Sequence, residues 1–311
     1  MEDVEHTLGR NSKIKMRVDL KFMRTKIKRV SALDRNDILE ISRHIWEGHD
    51  YLPFIIDEWL KDPNSYTYGF EVEDRLVAVA NLRLIENGRT GWMEGLRVHP
   101  DHRRKGFANV LTERLIKKAE DLGVQRLRYA TSTENQASLM LAEKFGFVKA
   151  LEMGVFWHPN ARIIQSMGSY PHIRKSNPNE VYKLLQGNPH IIPYKVLIYD
   201  WKALDSTLKG LETLGKSHEF YIALKAKMDS LSYAYPKRVP ERSLWVFTIC
   251  ATEPHGFLSH LSYNIAIALK KGFNAIMGTY EIDFEETLHN VNWGTDERWD
   301  THVVLLEKGM Y

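Results

Sequence analysis

The first half of the chain alternates between two hydrophobic periods. A helical period over Asp34 to Trp46 predicts a first helix. The runs "YTYGFEV", "RLVAVANLRL" and "TGWMEGLRV" between Tyr66 and Val98 then predict three strands. From Gly106 the period returns to that of a helix, with Phe107, Val110, Leu111, Leu115, Ala119 and Leu122 at three- and four-residue steps and Gly123 as a C-cap. A strand, "RLRYATS", a short helix over Asn135 to Lys144 and two strand pieces in "FGFVKALEMGVFW" complete this half. The fold class expected from this order is α+β, with a mixed central sheet flanked by helices.

Five of the eleven prolines fall between residues 159 and 193, beside "QSMGSY" and "KSNPNE", and predict a linker. Beyond it, "YKVLIYDW" and "SLWVFTICA" read as strands, "HGFLSHLSYNIAIALKK" as a helix, and "NAIMGTYEI" and "HVVLLEK" as strands. This order echoes the first half without matching its residues, which makes a degenerate internal repeat one reading of the second, smaller α/β region. The expected division is a basic tail over 1–25, a first domain over 26–158, the linker over 159–193 and a second domain over 194–311. A length of 311 residues with 43% hydrophobic content suits two packed units.

The net charge of +3 lacks the excess that nucleic acid binding demands. The exception is the run from Lys13 to Arg29, where Lys15, Arg17, Lys21, Arg24, Lys26 and Lys28 face one acid, Asp19; it is expected to be a solvated tail leading into an edge strand. A lone cysteine, Cys250, excludes an internal disulfide framework. No apolar run approaches the roughly 18 residues of a membrane span, and Glu2, Asp3 and Glu5 argue against a cleaved leader. A cytoplasmic protein with neither membrane nor nucleic acid partners is expected.

The segment "GWMEGLRVHPDHRRKGFANVL" carries the chemistry. Amides from Arg103 to Ala108 converge where a strand hands over to a helix N-terminus, with Gly106 allowing close approach and Arg103, Arg104 and Lys105 supplying charge. Such a nest suits an anion. The spacing Arg103-x-x-Gly106-x-Ala108 resembles the acetyl-CoA pyrophosphate motif of the GNAT acetyltransferases, and Asn135-x-x-Ser138 followed by Glu143-Lys144-Phe145-Gly146-Phe147 resembles the family's second block. The resemblance covers about residues 26 to 150 and implies a GNAT-type fold with acetyl-CoA as acetyl donor. By the same resemblance Leu96, Arg97 and Val98 would pair with the pantetheine arm, and Arg103 to Ala108, including Phe107, would meet the diphosphate. Asn135 and Ser138 would complete the cofactor set, and Glu94 would be the base that deprotonates an amine.

Ala142 departs from the pattern, because many members carry there a tyrosine that protonates the leaving thiolate; Tyr129, Ser132 or Thr133 could substitute. Upstream, "WEGHDYLP" together with the motif loop resembles the histidine N-acetyltransferase-like branch. That implies a small amine acceptor, the α-amino group of free L-histidine above others, with Asp50 and Tyr51 as acceptor contacts; Asp50 as an N-cap and Tyr51 as a core residue remain the plainer alternatives. Protein acetylation and acyl-CoA binding without turnover are the competing readings. The P-loop pattern from Gly210 to Ser217 lies at the end of "WKALDSTLKGLETLG", which reads as one helix into a glycine cap, and the pairs His44 with His49 and His255 with His260 miss the spacing of a helical metal pair, so no metal is expected.

Overall fold

The computed structural model describes residues 24–45, 48, 50–163, 172–192, 194–224, 228–239, 242–295 and 297–310. The basic run before Arg24, and Trp46, Glu47 and His49 of the "WEGHDYLP" segment, lie outside the described residues. The chain divides into two compact units, Met1–Arg128 with Lys308–Tyr311, and Tyr129–Glu307.

The first unit is built on strands β1 (Thr25–Arg29), β2 (Ser65–Val72), β3 (Arg75–Ile85) and β4 (Thr90–Val98), antiparallel in that order, with the start of β5 (Arg126–Ser132) parallel to β4. Helices α1 (Arg35–Arg43), α2 (Leu52–Lys61) and α3 (Phe107–Asp121) cover it. Side chains of β2 alternate between two partners. Tyr68 and Phe70 meet α3, where Phe70 stacks on Phe107 at 4.2 Å and Arg114 donates to the Tyr68 hydroxyl at 3.1 Å. Gly69 faces the other way, against Leu76 and Val30, which cluster with Ile38 and Ile41 of α1 and Leu52, Ile56 and Trp59 of α2. Burial on both faces explains why β2 and β3 read as nearly continuous apolar runs. At the outer edge the cations of β1 are paired: Lys26 meets Glu71 at 2.7 Å and Lys28 meets Asp34 at 2.8 Å.

The second unit orders its strands β14-β6-β13-β12-β11-β10-β7, where β6 is Val148–His158, β7 Ile173–Ser176, β10 Glu219–Leu224, β11 Met228–Val239, β12 Arg242–Ala251, β13 Ala275–Glu281 and β14 Trp299–Gly309. Among the pairings of the described residues of this unit, β12 and β13 run parallel and the others antiparallel. Across β6 and β13, Gly154 lies opposite Tyr280 and Gly278 opposite Phe156. Each ring covers the facing glycine, since a Cβ at either would come within 2.2 Å of it. The remaining helices are α4 (Gln136–Lys144), α5 (Pro178–Gly187), α6 (Leu208–Leu214), α7 (Pro254–Lys270) and α8 (Glu285–His289), with α7 laid on β11, β12 and β13. A separate hairpin joins β8 (Val196–Tyr199) to β9 (Lys202–Asp205).

Three expectations need correction. Residues 159–193, read as linker, contain β7 and α5, because Asn177 caps the Glu180 amide at 3.0 Å and Pro178 starts the helix instead of breaking structure. The stretch from Trp201, read as one helix, is β9 followed by α6. Its hairpin turn places Asp200 and Trp201 at φ of 42° and 63° without glycine. The Asp200 carboxylate anchors that turn by accepting from Tyr235 at 2.5 Å and Lys237 at 2.7 Å. Finally, "FGFVKALEMGVFW" contributes one strand, β6, not two.

A bulge in β4 fixes the first unit's functional edge. The β3–β4 register slips between Val79, opposite Arg97, and Asn81, opposite Glu94. Gly95 at the slip has φ +67°, and a Cβ there would lie 2.3 Å from the buried Trp59 ring. Gly95→Ala therefore combines backbone strain with overpacking and should destabilise the first unit by about 2–4 kcal/mol. Urea unfolding followed by Trp fluorescence checks this; an unchanged transition would contradict the bulge geometry.

Candidate active site

The parallel ladder between β4 and β5 runs Thr90–Arg126, Gly91–Leu127 and Trp92–Arg128 and ends there. Past Trp92, that edge of β4 has no ladder partner among the described residues. Its far end leads through His99, whose amide bonds to Val77 at 2.8 Å, into a single 3₁₀ turn over Pro100–His102. The following turn brings Arg104 to φ 61° and Gly106 to φ 88°, and α3 begins with the Val110 amide donating to the Gly106 carbonyl. The amides of the first helical turn thus point off the helix end without intrahelical acceptors, where the dipole favours negative charge. A Cβ built on Gly106 meets nothing within 4 Å, so the space above this turn is open.

Side chains of the expected anion loop divide by role. Arg103 and Arg104 are exposed and Lys105 half-buried, as an anion cradle requires. Arg103 also donates through Nε to the Val98 carbonyl at 3.3 Å, which ties it to the end of β4. Phe107 puts its ring into the core, so only its amide belongs to the turn; Ala108 keeps the next position small. Burial, together with Lys105 and His99, holds His102 below the usual imidazole range and favours its neutral form.

Glu94 stands on the shoulder of the bulge with its side chain largely buried. Asn81, wholly buried on β3, donates to Glu94 at 3.3 Å and accepts from Ser65 at 3.0 Å and Thr67 at 2.9 Å. The two hydroxyls fix the amide so that its NH₂ faces the carboxylate. Arg83 lies 3.5 Å from the same Glu94 oxygen, with its Nε otherwise lacking a hydrogen-bond partner. These supporting residues were not singled out from sequence, although one asparagine inside the apolar run of β3 was the signal available.

Asp50 and Arg97 meet although they lie 47 residues apart in sequence. Both oxygens of the buried Asp50 accept from Arg97, at 3.1 Å from Nε and 3.0 Å from Nη2, and Arg97 also donates to the Leu96 carbonyl at 3.1 Å. Asp50 is thus held in an internal ion pair, and the Leu52 amide also donates to it at 3.4 Å. The Arg97 side chain serves that pair. Its guanidinium lies 5.2 Å from the Tyr51 ring centre. Burial, opposed by Arg97 and reinforced by Glu94 and Asp50, pushes the Tyr51 hydroxyl up to about 12. Tyr51 is thus a protonated donor at neutral pH, with part of its ring exposed.

In the second unit, Asn135 and Ser138 are brought together as the N-cap of α4, the Asn135 side chain accepting from the Ser138 amide at 3.2 Å. The Tyr129 hydroxyl donates to the Ser138 carbonyl at 3.1 Å, and burial pushes its pKa up. Ser132 bonds to Thr301 at 3.0 Å, and Ala142 is buried. The strand-to-helix junction of this unit contrasts with that of the first. Here the parallel ladder from β12 to β13 runs from Leu244–Ala275 to Ile249–Tyr280, and a Cβ on Gly256 would meet Ser230 at 3.0 Å. Phe257 fills the first turn of α7, stacked on Phe284 at 5.0 Å. The N-terminus of α7 is itself exposed, but it carries Glu253 at the N-cap and then Pro254, which has no amide hydrogen, where α3 is preceded by Arg103, Arg104 and Lys105.

The comparisons with known proteins agree with this geometry. Residues 35–147 match the family model "Acetyltransferase (GNAT) family". Histidine N-acetyltransferase of Scomber australasicus is 37% identical over 78 residues, 25% of this chain and 23% of that protein, so the chain spans about a quarter of that relative's length. A GCN5-related N-acetyltransferase from Sphaerobacter thermophilus superposes with TM-score 0.63 at 9% identity, covering 92% of this chain and 95% of the other. A tandem GNAT protein from the clavulanic acid biosynthesis pathway gives TM-score 0.56 at 12% identity over 92% of this chain and 98% of the other. At such identities these two likenesses concern the fold alone, and the tandem one supports reading the second unit as a degenerate repeat. With an open β4 edge, a helix N-terminus beside it and a family match spanning both, residues 35–147 are a domain of the GNAT acetyltransferase family, in a chain that resembles the histidine N-acetyltransferase branch.

Proposed function

We propose that the chain is an N-acetyltransferase that takes acetyl-CoA as donor and the amine of a small molecule as acceptor, the α-amino group of free L-histidine being the best single assignment. The observation that carries this reading is the placement of Glu94 on the same strand whose open edge ends at the unfilled N-terminus of α3. The residues fit the donor: amides of Gly106 to Ala108 and the charges of Arg103, Arg104 and Lys105 would hold a diphosphate, and the β4 edge from Leu96 to Val98 would receive an extended amide-bearing arm. The donor supplies an activated thioester carbonyl; the protein supplies position and proton handling.

An α-amino group of pKa about 8 must lose a proton before it attacks. Glu94, oriented by Asn81, takes that proton directly or through a water. The amine nitrogen bonds to the thioester carbonyl carbon as the carbon–sulfur bond breaks, and the electron pair leaves with the sulfur. Amides of β4 would polarise the carbonyl oxygen. Because a thiol's ordinary pKa is about 8.5, the departing thiolate needs only modest help, which a water can give. The exposed ring of Tyr51 gives an imidazole a stacking surface, which supports histidine as acceptor. The match over 78 residues to a protein named histidine N-acetyltransferase supports the same choice.

Release of CoA thiol from acetyl-CoA across a panel of amino acids tests the proposal; silence across the panel would leave acyl-CoA binding without turnover. Glu94→Gln should lower kcat at least about tenfold while leaving acetyl-CoA affinity near normal; an unchanged rate at every pH would remove Glu94 from the mechanism. Arg103→Ala should weaken acetyl-CoA binding by about fivefold, the scale of an exposed charge contact, and equal affinity would count against the diphosphate assignment. With its hydroxyl held protonated up to about 12, Tyr51 contributes no limb to the rate profile between pH 6 and 10. Tyr51→Phe should therefore keep the profile's shape, and loss of a limb would show that this hydroxyl titrates during turnover.

A further inference from the structure

We infer that Glu40, His44 and His99 form a binding site for one divalent transition metal ion of the zinc class, joining the end of α1 to the loop that follows β4. Glu40 and His44 are four apart on α1 and so share a face. The His44 Nε2 atom lies 3.4 Å from Glu40 Oε1. His99, 55 positions from His44 in sequence, comes to that face edge-on, its ring centre 5.3 Å from that of His44 at an interplanar angle of 79°. One ligand atom from each of the three lies within 4.8 Å of the others.

The donor set is two imidazole nitrogens and one carboxylate oxygen, which suits zinc and its neighbours and not magnesium or calcium. With bonds of about 2.0–2.2 Å, closing the triad needs side-chain rotations of the order of an ångström. The half-exposed His44 at the last turn of α1 can make them. Glu40 keeps one oxygen for the ion while Arg43 binds the other at 2.8 Å. Ligation by His99 Nε2 takes the tautomer with the proton on Nδ1, so the contact that Nδ1 accepts from the Asp101 amide at 3.3 Å would be given up. The Asp101 carboxylate, 3.8 Å from Nδ1, is the outer partner that ligating imidazoles commonly use. Three protein ligands leave a fourth tetrahedral position for water or another donor.

Position gives the ion a consequence: His99 immediately precedes the turn that opens α3, so occupancy would clamp the approach to the anion cradle without touching Glu94. The test uses the untagged full chain, with zinc chloride titrated calorimetrically at neutral pH and cobalt(II) as an optical probe. The expected result is one tight equivalent per chain and visible cobalt bands of a low-symmetry nitrogen–oxygen site. Affinity should fall at least tenfold in His44→Ala, a surface change that leaves the fold intact by circular dichroism, and again in His99→Ala; His255→Ala, elsewhere on the chain, should bind as before. No zinc binding, or binding unchanged in His44→Ala, overturns the assignment, since the chain holds thirteen histidines that bind adventitiously.

Discussion

The structure of the first unit turns on a constraint in β4: it pairs in parallel with β5 for three residues, and past Trp92 that edge has no ladder partner among the described residues. A parallel strand in a covered sheet ordinarily satisfies its amides and carbonyls on both sides. Leaving one side open costs hydrogen bonding, which the proposed donor's extended arm would restore. The bulge at Gly95 makes the arrangement consistent, because the slip in register turns Glu94 toward Asn81 while the ring of Trp59 fills the space where a side chain at 95 would stand. Open edge, bulge and helix N-terminus follow from one another within about fifteen residues of sequence.

The second unit repeats the order of strand, helix and parallel strand without the opening. Its ladder stays paired as far as Ile249–Tyr280, Phe257 enters the first turn of α7, and Ser230 crowds Gly256. At the exposed start of α7 stand an acid, Glu253, and Pro254, where α3 is preceded by a glycine turn with three cations, so the same topology yields a candidate anion site in one unit and lacks its charge in the other. The buried polar cluster of this unit is internal: Trp245 donates to Asn264, which donates to Ser232, beside His260, whose pKa burial lowers to about 3.

Much of this was legible in the chain. The limits of β4 and β5 coincide with the strands read from alternation, and the turn from Arg103 to Ala108 was readable because glycine, charge and helix period fall in one short window. The helix at Leu52 was missed because Pro53 resembles a breaker, though within the first turn it removes no hydrogen bond. The Asp50–Arg97 pair was invisible because its members are 47 residues apart and only the fold joins them. Histidine spacing was judged against His49, whereas the face shared by Glu40 and His44 is completed by a residue from another element. Local chemistry was readable, in short, and long-range partners were not.

The most direct measurement of the central claim is calorimetric titration of the intact chain with CoA. A glycine turn flanked by cations in the first unit, against an acidic N-cap followed by proline in the second, predicts a single saturable site per chain. No association, or two equivalent sites, would contradict the account.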